Sequence, residues 1–338
     1  MTYLILSKYS NIIMVESDSM FEFKKHTFKI PEKMIKDQET NKKFINSKTY
    51  QNLVYFINLY QDSIKSKTSN EDLKVDNEII LEFYSFLDYA EKLTEQHPAL
   101  NQSEQRYGNV AFRDWYASLE KYYDETFKKQ FSALINKKFQ FEPKDEKEKS
   151  VLDEIKPYLF ECFGNSKRID YGTGHELNFF MVLVILTITN VFEQDSIRIQ
   201  IHFLFKKYIG VCKHLQSFYR LEPAGSKGVY GLDDYFFLSF LFGASELIDN
   251  NKITPEDIQR DLDVIKELGK EFMFFDAVYS NLYSKKGHLS LHSPVLFQIS
   301  NVKIWGKVAK GLVKMYEDEV LKKIVVTQHF YFGSIFVL

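Results

Sequence analysis

Two cysteines, Cys162 and Cys212, are all that the 338 residues contain. That is too few for a disulfide framework or a four-thiolate zinc site, and it fits a reducing compartment. The chain is therefore read as intracellular, in the cytoplasm with the nucleus left open. An excess of one charge is also lacking. The 44 Lys and Arg against 46 Asp and Glu leave a net charge of −2, which gives no reason to expect nucleic acid as a partner. Long apolar runs are absent too. The greasiest stretch, Phe179 to Phe192, is interrupted by Thr187, Thr189 and Asn190, and a membrane span needs about 20 apolar residues. It reads as a core element, and no membrane partner is expected. The opening MTYLILSKYSNIIMV has neither a basic region nor a small-residue cleavage site, so no secretory signal is expected.

Several chemical signatures are missing as well. Gly225 is not followed at the required distance by Gly-Lys-Ser or Gly-Lys-Thr, so the phosphate-loop pattern is not met. Gly172-Thr173-Gly174-His175-Glu176 has Leu177 where a dinucleotide fingerprint needs glycine, and Phe179 where a zincin helix needs histidine. No nucleophile elbow or Ser-His-Asp order is recognisable, and neither cysteine sits in a motif that would lower its pKa. His288 and His292 are four apart, but Gly287 and Pro294 bracket them, which favours a loop over a metal site. His202 and His214 lie in apolar stretches and read as satisfied interior side chains.

What the chain has in quantity is aromatic residues, 31 Phe and 21 Tyr, within a 45% hydrophobic composition. Aromatic packing must dominate the interior. From about His26 the apolar spacing is helical, and residues 1–25 read as an extension ahead of a single domain spanning 26–338. Helices are predicted after Ser47, over Ile79 to Ala90, and after Asn109 through Phe127, with Trp115 as core and Arg113 as surface. A charged connector around Pro143 leads to Ser150, which with Asp153 makes a capping box; Pro157 should kink or split the helix that follows. The apolar segment after Glu176 has strand-like residues, but its length favours a buried helix. Asp195 to Tyr219 reads as one helix. Thr254-Pro255-Glu256-Asp257 starts another through Leu268, and Ser300 is expected to cap a last one carrying Trp305. The reading is an all-α fold.

Two glycine turns stand out. In RLEPAGSKGVYGLDD, Arg220 to Asp234, glycines free the backbone just before an apolar run, and Asp233-Asp234 sit where they can cap a helix or hold a cation. In RIDYGTGHE, Arg168 to Glu176, a turn delivers a helix N-terminus whose free N–H groups suit either a tight capped turn or an anion.

Both stretches resemble the phosphotyrosyl phosphatase activator family, also called protein phosphatase 2A activators. The first matches R-x-E-P-A-G-S-x-G-V-W-G-L-D-D, and the second matches residue for residue. RYGNVAFRDWY (106–116) and QHFYFGS (328–334) are similar to two further family motifs, and the resemblance runs from about residue 28 to 336. It implies a helical domain with core, lid and linker parts around a deep cleft that binds ATP with magnesium. By motif position Arg168, Thr173, Gly174, Gln328, His329 and Tyr331 would contact nucleotide, and Gly228 and Asp234 the metal; no catalytic residue is assigned. The implied partners are the phosphatase 2A catalytic subunit, with or without its scaffold subunit, and a proline-containing peptide. The implied activity is ATP-dependent reactivation of the phosphatase, with classification as a peptidyl-prolyl cis/trans isomerase. A stand-alone isomerase is the alternative. Tyr230 replaces the usual tryptophan, Val326 stands near a common proline, and Tyr331 stands where a lysine is frequent, a loss expected to weaken phosphate attraction.

Overall fold

The computed structural model describes residues 22–68, 73–101, 107–140, 148–225, 227–283, 285 and 287–338. The expectations for residues 1–21, for Arg106, for Ser226 and for the connector at Pro143 lie outside the described residues.

Local caps open the first helices where the sequence places them. After α1 (Gln38–Ile45), the Ser47 side chain accepts from Tyr50 N to start α2 (Lys48–Ser63), and Asn77 accepts from Ile79 and Ile80 N to start α3 (Glu78–Lys92). Their apolar faces, such as Leu53, Ile57 and Tyr60 on α2 and Ile80, Phe83 and Leu87 on α3, are buried. Next come α4 (Ala111–Tyr122) and α5 (Lys128–Phe139), joined without a break by a π-helical turn at Tyr123–Phe127. Trp115 is buried as expected and its indole N–H donates to Ala90 O at 2.9 Å. The Ser150–Asp153 capping box starts α6 (Val151–Glu161).

The longest apolar segment forms α7 (Thr173–Ile188), in which every side chain from His175 to Thr187 is buried. A helix covered on all sides shows no apolar stripe, which is why its periodicity is ambiguous. Around it lie α8 (Lys206–Tyr219), preceded by a π-helical stretch at Gln200–Phe205, and α9 (Leu238–Glu246). The chain continues through α10 (Leu262–Glu271), α11 (Met273–Tyr283), α12 (Leu289–His292), α13 (Pro294–Ser300), α14 (Trp305–Tyr316) and α15 (Ile324–Thr327). Among the described residues four two-residue strands make two small ladders: β1 (Glu32–Lys33) pairs antiparallel with β4 (Tyr331–Phe332), and β2 (Asp170–Tyr171) pairs parallel with β3 (Glu222–Pro223). They tie loops and do not build a sheet, so the all-α reading holds. Among the described residues no helix is long and apolar enough to cross a membrane.

Three details differ from the sequence reading. Helix α6 runs on through Pro157 and is not split. The Thr254 box opens only a 3-10 turn, Pro255–Gln259, because the chain turns extended at Arg260, whose guanidinium is held by Asp257 at 2.9 Å; α10 starts afresh at Leu262. Ser300 ends α13, donating to Phe297 O, and α14 starts after Ile304, which has no side-chain cap. The α14 start is fixed instead by Trp305, whose Nε1 donates to Ile253 O at 2.9 Å.

One approach is closer than ordinary helix packing. A Cβ on Gly243 of α9 would lie 2.0 Å from the Phe274 backbone nitrogen of α11, so only glycine fits there.

Candidate functional site

Three segments far apart in sequence meet at a cavity of about 680 Å³. The first is the turn from Arg168 into α7, the second is the glycine loop before α9, and the third runs from the end of α14 to His329. Backbone pairing joins the first two: Glu222 N donates to Ile169 O at 3.0 Å and Ala224 N to Tyr171 O at 2.7 Å. Gly172 permits this contact, since a Cβ there would meet Ala224 O at 2.7 Å. The third segment packs on Gly174 through Val326 and is fixed at its far end by β1–β4.

Arg168, Thr173, Gly174, Asp234, Gln328 and His329 all line this cavity. Gly228 and Tyr331 are not part of the lining. Gly228 stands on the exposed outer turn of the glycine loop at φ +55°, while the Tyr331 hydroxyl donates to Glu161 at 3.2 Å. The cation that Tyr331 lacks is close by on the paired strand, where Lys33 Nζ lies 4.7 Å from the Tyr331 ring centre and 3.2 Å from Glu161 Oε2.

The two loop aspartates have separate tasks. Asp233 accepts from Tyr235 N and Phe236 N at 2.8 Å and from Asn281 Nδ2 at 2.6 Å, so it holds the turn that leads to α9 and ties it to α11. Asp234 faces the cavity and meets Lys285 Nζ at 3.4 Å. On the facing wall Arg168 grips Asp170 through Nε and Nη2 at 2.6 and 3.2 Å. Burial pushes the Asp170 carboxyl up, but His175 and Arg168 outweigh it and hold it below its ordinary value. His175 donates from Nδ1 to Glu161 O at 2.6 Å. Burial, with Lys33 and Arg168 nearby, lowers His329, which keeps its imidazole neutral at physiological pH. Lys227 of the glycine loop pairs with Glu319 of the π-helical turn after α14.

Three residues, Glu176 and Arg113 inside the matched motifs and Glu154 outside them, have roles that sequence reasoning missed. Glu176 is wholly buried and accepts from Phe237 N and Leu238 N at 2.8 Å and from Ser239 N at 3.2 Å. It thus supplies from α7 the cap that α9 has no local residue to provide, and it sets the exit of the glycine loop. Burial pushes its carboxyl up to about 8 even though those three N–H groups draw it down. Glu154, also buried, accepts from Ser334 N and Ile335 N at 2.8 Å and so anchors the turn that follows β4. Arg113 donates to Ser166 O and Lys167 O at 3.1 and 3.0 Å, which braces the turn carrying Arg168.

The other candidates are structural. His202 lies 3.0 Å from Glu246 with both side chains buried, and His214 meets Thr94 Oγ1 at 2.9 Å. His288 hydrogen-bonds Ser290 in its own turn. Burial raises both thiols, Cys212 to about 12, so neither is a thiolate nucleophile. Among the described residues no group of three His, Cys, Asp or Glu has the arrangement of a metal centre.

A helical domain with a ligand-sized cleft, lined by a glycine loop and by a helix N-terminus, defines a helical cleft protein. A family model described as phosphotyrosyl phosphate activator (PTPA) protein matches residues 31–338. Serine/threonine-protein phosphatase 2A activator 2 of Kluyveromyces lactis is 36% identical over 292 residues, covering 85% of this chain and 78% of that one. The serine/threonine-protein phosphatase 2A activator of Drosophila melanogaster is 35% identical over 289 residues, 86% and 69% of the two chains. The crystal structure of the PP2A phosphatase activator Ypa1 superimposes with a TM-score of 0.81 at 30% identity, covering 94% of this chain and 99% of that one. This chain belongs to the phosphotyrosyl phosphatase activator (PTPA) family.

Proposed function

We propose that this protein activates protein phosphatase 2A by binding its catalytic subunit, and that its cleft takes ATP with magnesium in doing so. The observation that carries the reading is the convergence of Arg168, Thr173 and Gly174, of Asp234, and of Gln328 and His329 on one cavity in a chain whose relatives are named as activators of that phosphatase. The donor set suits magnesium. Asp234 lines the cleft along with Glu161, Asp170, Asp233 and Glu319, but among the described residues no three acidic, imidazole or thiol groups are arranged as a metal cage, which matches a cation that keeps most of its waters and takes its other ligands from phosphates. Bound there, the metal would neutralise phosphate charge. The chain's own residues do the rest. The Thr173–Gly174 end of α7 offers free N–H groups to an anion, Arg168 is a planar fork once it releases Asp170, and neutral His329 hydrogen-bonds without adding charge.

Titrating the catalytic subunit into this protein with and without ATP and magnesium tests the proposal. Phosphatase binding should tighten with the nucleotide, and by linkage ATP should bind more tightly in the complex by the same factor. An unchanged dissociation constant would sink the shared-site mechanism. A second expected result is that Asp234→Asn weakens magnesium-dependent ATP binding by about tenfold or more while helical content is kept, because a neutral amide is a poor ligand for a hard cation. Equal ATP affinity in the two proteins would return Asp234 to a structural role. Prolyl isomerisation is the second reading. A peptide assay without phosphatase decides it.

A further inference from the structure

Two cations that line the cleft are held by carboxylates, Arg168 by Asp170 and Lys227 by Glu319, and Lys285, beside the lining, is held by the lining carboxylate Asp234. The last pair differs from the others because its carboxylate is the one proposed above to meet a metal. Lys285 is brought there by the end of α11. Asn281 of that helix hydrogen-bonds Asp233 at 2.6 Å, and Ser293 holds Asn281 in turn at 2.8 Å. Both partners of the ion pair are only about a quarter exposed, at 23% and 25% of the side chain. The contact is therefore sheltered more than a surface pair that salt and water would dissolve.

We propose that Lys285 is a ligand-exchange residue of the cleft. Its ammonium holds the Asp234 carboxylate in the free chain, and it passes to an anionic oxygen of the ligand when a divalent cation takes Asp234. The inference rests on the reading of Asp234 as the cation's carboxylate. Its logic is charge balance. A cation arriving alone must displace the ammonium and then stands beside a like charge. An anion arriving alone must compete with Asp234 for Lys285. Arriving together, the cation takes the carboxylate and the anion takes the ammonium, and every charge keeps a partner. Metal and anion must then raise each other's affinity reciprocally.

The experiment measures Mn²⁺ alone, ATP with a chelator, and ATP with Mg²⁺ against the full chain and Lys285→Met. Removing the competing ammonium should tighten Mn²⁺ alone by about fivefold or more. It should weaken ATP with Mg²⁺ by a similar factor, so the coupling between metal and anion falls by the product of the two. Asp234→Asn should do the reverse for the anion, binding ATP under chelation more tightly than the parent chain because Lys285 is released. Lys285→Gln, which keeps a polar head, serves if Lys285→Met melts early. Mn²⁺ affinity that is unchanged or weaker in the lysine variants would overturn the proposal. If the parent chain binds no ATP even with Mg²⁺, the nucleotide reading fails. The Mn²⁺ arm still decides the exchange at Asp234, with tighter binding supporting it and unchanged binding refuting it.

Discussion

Gly243→Ala should leave the protein unfolded or close to it, with a loss on the order of 4 kcal/mol or more, the range reserved for backbone collisions in a core. The added methyl would meet the nitrogen of Phe274 at 2.0 Å and its Cα at 2.6 Å. These are backbone atoms, with no rotamer into which they can retreat. Helix α11 would have to move away from α9, and Phe240 and Phe274, whose rings meet edge to face at 5.4 Å, would move with it. Since α9 leaves directly from the glycine loop, the cleft would be lost as well. Gly210 provides the control. It lies in α8, and a methyl there meets nothing within 4 Å, so Gly210→Ala should stabilise by about 0.5–1 kcal/mol through helix propensity. Denaturant unfolding of the two variants reads both signs, and similar midpoints would refute the close-approach argument.

The second large effect is a pH dependence that one carboxyl imposes. Glu176 rises from an ordinary value of 4.5 to about 8, with burial as the leading cause. In the window between those values the folded chain holds a proton that the unfolded chain has released. Stability is therefore complete below about 4.5 and falls as pH rises through about 8, at roughly 1.4 kcal/mol per unit within the window. Glu176→Gln cannot titrate. At pH 5 it should be less stable by about 1–3 kcal/mol, because its amide turns donors toward backbone N–H groups and leaves one without an acceptor. Toward pH 9 the difference should narrow or reverse. Melting both proteins from pH 5 to 9 makes the comparison internal, since every other group titrates alike in the two. A constant difference across that range would show that the carboxyl does not carry the dependence.

Glu176 also marks where sequence reading stops. Ser47, Ser150 and Asp153 were legible as caps because each hydrogen-bonds within three residues of itself. The cap of α9 comes from 61 positions away, and nothing around Leu238 announces it. The Ser300 expectation failed for the same reason, since the start of α14 is set by an indole reaching back 52 positions. The glycine turns and the third motif were legible as motifs, and six of their eight candidate residues share the cavity. The charges that neutralise them were not legible. Lys33 beside Tyr331 and Lys285 beside Asp234 are contacts that only the fold creates.

The ladder between β1 and β4 has a consequence in time. Glu32 lies opposite Phe332, 300 positions later (332 − 32), so the strands can meet only after nearly the whole chain between them has been drawn in. Closing a loop of that length carries an entropic cost that local helix formation does not, and such contacts form late. In a refolding chain the helices should recover first, and the segment bearing Gln328 and His329 should settle last. Circular dichroism and ligand binding followed on the same refolding sample would then rise in separate phases, with a helical molecule present for a time that has nowhere to bind.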